Sequence, residues 1–216
     1  MCWNQSVSLN TFIFGVFALI MIWFNNKYSQ YKTDLFKNGY AYFFFLSFML
    51  MQLIEFFLWR NLNNKDLNHI LSVIGMLLVM VQPIASLLML EDKQSSYKII
   101  AIYSFFAAIF FIYQFNDHRF TTEIAQNGHL KWNWNIISGY SSILYLFWLI
   151  LLYYSLIVSK NYLPLIYVSI LFIISYYTYS KDGTAGSLWC WSINSLMFFY
   201  LFNLLIIMPF KEHGLC

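Results

Sequence analysis

Twenty consecutive residues, Tyr40 to Trp59, contain a single charge, Glu55. An α-helix rises about 1.5 Å per residue, so this run is ~30 Å long, the thickness of a bilayer's hydrocarbon core. Unpaired backbone groups are too costly in lipid for an open strand, so the run is read as a spanning helix. Six further apolar runs obey the same rule: Val7–Phe24, Ile70–Leu90, Ile99–Phe115, Ile136–Val158, Leu163–Tyr179 and Leu188–Phe210. None shows the short alternating segments of a membrane barrel. Only 10% of residues are charged, against roughly 25% in soluble domains. The expected fold is all-α: a polytopic membrane protein, a seven-transmembrane-helix bundle in which residues 1–216 form a single transmembrane domain.

Seven crossings would put the termini on opposite faces. We call the N-terminal face side A and the C-terminal face side B. Side A loops carry Arg60, Lys65, Arg119, Lys131 and Lys181; side B carries Lys27, Lys32, Lys37, Lys93, Lys98, Lys160 and Lys211. The positive-inside rule then makes side B cytoplasmic and the N-terminus external or lumenal. A net charge of +3, scattered over loops, does not suggest nucleic acid as a partner. The partners expected are the lipid bilayer and a small solute or ion. Of eight tryptophans, six (Trp3, Trp59, Trp132, Trp134, Trp189 and Trp191) fall at side A. They read either as an interfacial belt or as an aromatic vestibule.

A carboxylate within a spanning helix is costly, so Glu55 marks either a functional centre or a structural glutamate, neutral or paired with Arg60 or another loop cation near the interface. Phe48, Met51, Gln52 and Trp59 share its face at helical spacing. On the last helix Ser187, Cys190, Trp191 and Asn194 form one stripe, with Asn194 expected level with Glu55. His69 and Ser72 open the third helix from the same side. Glu55, Gln52, Asn194, Ser72 and His69 are thus the candidate ligand cluster, with interhelical hydrogen bonding as the plain alternative. A second candidate surrounds Gln82, Pro83 and Ser86. Proline removes the hydrogen bond to the Val79 carbonyl, which an ion could then use, although ligand-free proline kinks are common. Cys2 and Cys190 share side A and each adjoins tryptophan, so the two are expected to approach one another, as a disulfide if that face is oxidising.

Every lysine lies in a loop or at a helix end, so retinal as a Schiff base is not expected, and no other cofactor is called for. No potassium filter, phosphate loop, serine-nucleophile elbow or His-Glu-x-x-His run is present. His69, His118 and His129 share side A with Asp66, Asp117, Glu123 and Asp182, but not at metal-motif spacing. They read as solvated loop residues before they read as a metal site.

The Met-Cys-Trp-Asn opening at Met1, the run QLIEFFLWR from Gln52 and GSLWCW from Gly186 resemble an uncharacterised family of multi-pass membrane proteins. That family is encoded by large DNA viruses of algae and protists and by some eukaryotes. The resemblance covers the whole chain and implies membrane topology, with no substrate. Three functions stay open on the residues. The first is binding or passage of a small solute or ion through the side A half, as a channel or transporter. The second is a membrane-embedded lipid-modifying enzyme using the side A histidines and acids, with metal. The third is a receptor-like or scaffold protein without transport.

Overall fold

The computed structural model describes residues 4–116, 120–134 and 141–212. Asparagines begin the first three helices, each accepting an otherwise orphaned backbone N–H. Asn4 caps α1 (Gln5–Tyr28) by accepting from Val7 at 2.9 Å. Asn38 caps α2 (Gly39–Arg60) and Asn64 caps α3 (Lys65–Leu87) in the same way. α4 (Lys93–Asn116) starts behind Asp92, which accepts from the amides of Gln94 and Ser95. Hydrogen bonds from Ser95, then Gln94, hold the Asp92 carboxyl below the usual carboxylate range. A hairpin of β1 (Thr122–Ile124) and β2 (Leu130–Trp132) precedes α5 (Ser141–Val158), α6 (Tyr162–Tyr179) and α7 (Ala185–Phe202). α7 continues through a π-helical stretch, Asn203–Ile207, into α8 (Met208–Glu212).

Six helices among the described residues are long and apolar enough to cross a membrane, and α5 adds a shorter apolar stretch, Leu144–Val158. The chain is a multi-pass helical membrane protein. The run expected from Ile136 begins outside the described residues, so α5 is seen only from Ser141.

α2 lies at the centre. Its apolar window is 61% buried, and it packs against α1, α3 and α7. Phe44, Phe45, Phe48, Met51 and Leu58 form its inner face, with the Phe48 ring edge-on to Trp189 at 6.0 Å. Gly15 lets α1 come close, because a Cβ there would lie 2.8 Å from Met49 Cγ and 3.0 Å from Asn194 Oδ1. α4 is the outermost helix, its window only 6% buried. Its Ile102, Phe105, Ile109 and Ile112 are exposed, as a helix facing lipid requires.

The long polar connection after α4 is where the fold departs from expectation. Instead of a solvated loop, its hairpin turns Phe120, Leu130, Trp132 and Trp134 inward, all nearly inaccessible. Trp132 and Trp134 stack at 5.0 Å, and Trp134 rests on α3 at Gly75, where a Cβ would be 3.2 Å from its ring. Its charged residues occupy the outer face, while Thr122 and His129 are buried. Glu123 and Lys131, directly opposite across the strands, pair at 2.8 Å, and at that exposure the ion pair contributes ~0–1 kcal/mol. The tip is tied to the α6–α7 turn by Asn127 Nδ2, which donates to Asp182 Oδ2 and Thr184 Oγ1, each at 3.0 Å. The hairpin therefore covers the side A end of the bundle.

Candidate functional site

Glu55 is fully buried, and so is Gln52 one turn before it. Gln52 Nε2 donates to Glu55 Oε2 at 2.9 Å within α2. Across the interface Ser187 Oγ donates to Glu55 Oε1 at 2.6 Å, linking α2 to α7. Arg60 lies over the Phe56 ring at 5.7 Å, at the outer end of the helix. The carboxylate thus faces the bundle and is received there by polar groups of two helices. Buried Cys190 is one turn beyond Ser187 on the same stripe of α7. Burying a carboxylate demands such donors, and charge-assisted bonds are the stronger kind.

Asn194 is not level with Glu55. Glu55 meets Ser187, so Asn194, seven residues further along α7, is ~10 Å deeper. Its Nδ2 donates back to the Cys190 carbonyl at 3.1 Å, and its Oδ1 is directed at Gly15 of α1. It lies where α1, α2 and α7 meet, beside Gly15 and Met49, at its own level. Equal distance from the loop did not translate into equal depth, because the level of contact depends on where each helix enters the bundle.

Ser72 and His69 belong to a different cluster. Ser72 Oγ is 2.9 Å from Thr122 Oγ1, and His69 Nδ1 lies 3.1 Å from the Phe120 carbonyl, so both serve the hairpin. Next to His69, Asn68 does what a neighbouring strand would do. Its Nδ2 donates to the Thr122 carbonyl and its Oδ1 accepts the Thr122 amide, both at 2.8 Å. Asn68 was missed in the sequence because its role requires a strand edge that lies 54 residues away. His129 packs edge-on to Tyr179 at 5.8 Å. Among the described residues no three His, Cys, Asp or Glu side chains are placed to hold a metal, and His118 and Asp117 lie outside them.

The proline site has a protein partner. The Val79 carbonyl, released by Pro83, accepts from Trp148 Nε1 of α5 at 2.9 Å. Ser86 Oγ likewise bonds α5, donating to the Leu152 carbonyl and meeting Ser155 Oγ, each at 2.7 Å. These contacts make the proline turn a joint between α3 and α5. Trp148→Phe keeps most of the packing but leaves the buried carbonyl without its donor, a loss of about 1–3 kcal/mol. A lowered melting temperature of the purified protein in detergent is the expected result, and an unchanged one would mean that Val79 has no need of the indole. Gln82 differs from its neighbours: it is fully buried, and neither amide atom has a partner among the described residues.

Tryptophans make similar crossings elsewhere. Trp189 Nε1 donates to the Val168 carbonyl of α6 at 3.2 Å, and Trp191 Nε1 to Thr11 Oγ1 of α1 at 3.0 Å. Trp132, Trp134 and Trp189 are buried, so much of the side A aromatic group lies inside the bundle and its cap. The indole N–H groups of Trp59, Trp132 and Trp134, together with Ser8 Oγ, Gln52 Oε1 and Asn194 Oδ1, have no partner among the described residues. Cys190 is a buried thiol, whereas Cys2 lies outside the described residues, and the expected pairing with it.

Compared with protein-family models, curated proteins and solved structures, the chain matches none.

Proposed function

We propose that this membrane protein binds or passes a small solute or ion through the side A half of its bundle, with Glu55 as the titratable centre. One observation carries the reading: a fully buried carboxylate is received by Gln52 and Ser187 from two helices, while the Gln52 amide oxygen one turn away has no partner among the described residues, nor do Ser8 Oγ of α1 and, deeper in the bundle, Asn194 Oδ1. Simple interhelical glue is normally satisfied by its own partners. A buried carboxylate with an uncommitted amide oxygen on the neighbouring turn is instead the chemistry that accepts a proton or a small cation. The hairpin over side A supports a gated route in preference to an open pore.

Reconstituted in liposomes containing a pH-sensitive dye, the protein should speed the collapse of a proton gradient relative to empty liposomes, or do so when sodium, potassium or ammonium is added. Rates equal to those of empty liposomes under every cation would remove the transport reading. α5 serves as the seventh crossing in this reading, and side B faces the cytoplasm. A fluorescent reporter on the C-terminus should therefore be shielded from external protease in intact cells.

A further inference from the structure

On the opposite face, where α1 meets α2, the structure has a cavity of about 650 Å³ whose lining includes Trp23, Asn26, Lys27, Lys32, Lys37 and Tyr42. The walls are fixed by local bonds. Asn26 Nδ2 donates to Tyr42 Oη at 3.3 Å, and Asn26 Oδ1 accepts the Thr33 amide at 3.0 Å. Asn25 Nδ2 holds the Tyr31 carbonyl at 2.6 Å, so the loop carrying Lys32 is pinned to the end of α1. Lys27 Nζ stands 5.0 Å from the Trp23 ring centre and 5.2 Å from that of Tyr28. Lys37 is partly engaged by exposed Asp34 at 2.6 Å, which leaves Lys27 and Lys32 as the principal cations.

Three features point to one class of ligand. Lysine side chains gathered on one concavity attract a phosphate, and near a membrane surface each contributes independently of the others. Trp23 and Tyr42 are the amphipathic aromatics that sit at headgroup level. Below Lys27, on the same side of α1, Ile13, Phe17, Ile20 and Phe24 are all exposed and form a continuous apolar track leading away from the cavity. A soluble phosphate would have no use for that track, but acyl chains would lie along it. We propose that this cavity receives the phosphate headgroup of an anionic phospholipid, with its chains on the outer face of α1. The site does not depend on the role of Glu55.

The test uses the full-length protein in zwitterionic nanodiscs, with a short-chain phosphatidylglycerol, a short-chain phosphatidylcholine or inorganic phosphate added in turn. Binding is read from thermal melting. Phosphatidylglycerol should raise the melting temperature and phosphatidylcholine should not. In Lys27→Gln/Lys32→Gln the apparent affinity for phosphatidylglycerol should fall roughly 30-fold, about fivefold for each lysine removed near the surface. Both lysines are exposed, so the lipid-free melting temperature should stay as it was. Lys65→Gln/Lys98→Gln removes equal charge elsewhere and should keep wild-type affinity. An equal loss in that control, or full affinity in the cavity variant, overturns the proposal. So does a matching shift with inorganic phosphate, which would make the ligand a free anion and leave the apolar track without a role.

Discussion

Glu55→Gln should abolish the flux carried by the protein while leaving it folded and inserted. The amide keeps the size of the side chain and can still accept the Ser187 hydroxyl, now 2.6 Å from Oε1. What it loses is the ability to exchange a proton or to balance a cation, which is the property assigned to the site. Glu55→Leu is the complementary variant. It removes the acceptor of both Gln52 Nε2 and Ser187 Oγ, all buried, a cost of about 1–3 kcal/mol for a donor left unsatisfied. Flux lost in both variants, with stability lowered only in the leucine form, is the expected pattern. Wild-type flux in Glu55→Gln would reduce Glu55 to a structural tie between α2 and α7.

The second large effect is expected at Asn68. Replacing it with leucine, close in size, withdraws two hydrogen bonds at once from the Thr122 backbone, whose N–H and C=O are otherwise held by that single side chain. Thr122 and Asn68 are both buried, so solvent does not take over the lost bonds. With about 1–3 kcal/mol for each of the two orphaned groups, the variant should lose roughly 2–6 kcal/mol. The loss should be local. Hydrogen–deuterium exchange in Asn68→Leu should rise across residues 120–134 and stay close to wild type in α2 and α7. Protection of the hairpin at wild-type level would show that Phe120, Leu130 and the two stacked tryptophans hold the cap by packing alone. A hairpin that opens without unfolding the bundle would also test the gating role, because flux through the side A half should then increase.

The helical membrane character was legible because it is a local property. A run such as Tyr40–Trp59 excludes water from its own backbone wherever it is placed, and the asparagine caps at Asn38 and Asn64 act over two or three residues. Glu55 was legible too, as the one charge in the run from Tyr40 to Trp59, and so was Gln52, one turn away. Which groups these residues meet was not. The partner of Glu55 is Ser187, 132 residues distant, and the level at which α2 and α7 touch depends on helix rotation and entry depth. Ser72 and His69 had the right side and spacing for the Glu55 cluster, yet the structure gives them to the hairpin. Short polar strands carry no strong pattern, so residues 120–134 resembled a solvated loop until their tertiary contacts were seen. The carbonyl at Val79 shows the same division. Pro83 alone dictates that it loses its helical partner, and only the packing of α5 against α3 supplies Trp148 in its place. Periodicity and composition establish what each segment is, whereas contacts between segments depend on the rotation, tilt and order of helices whose outer surfaces lipid treats almost alike.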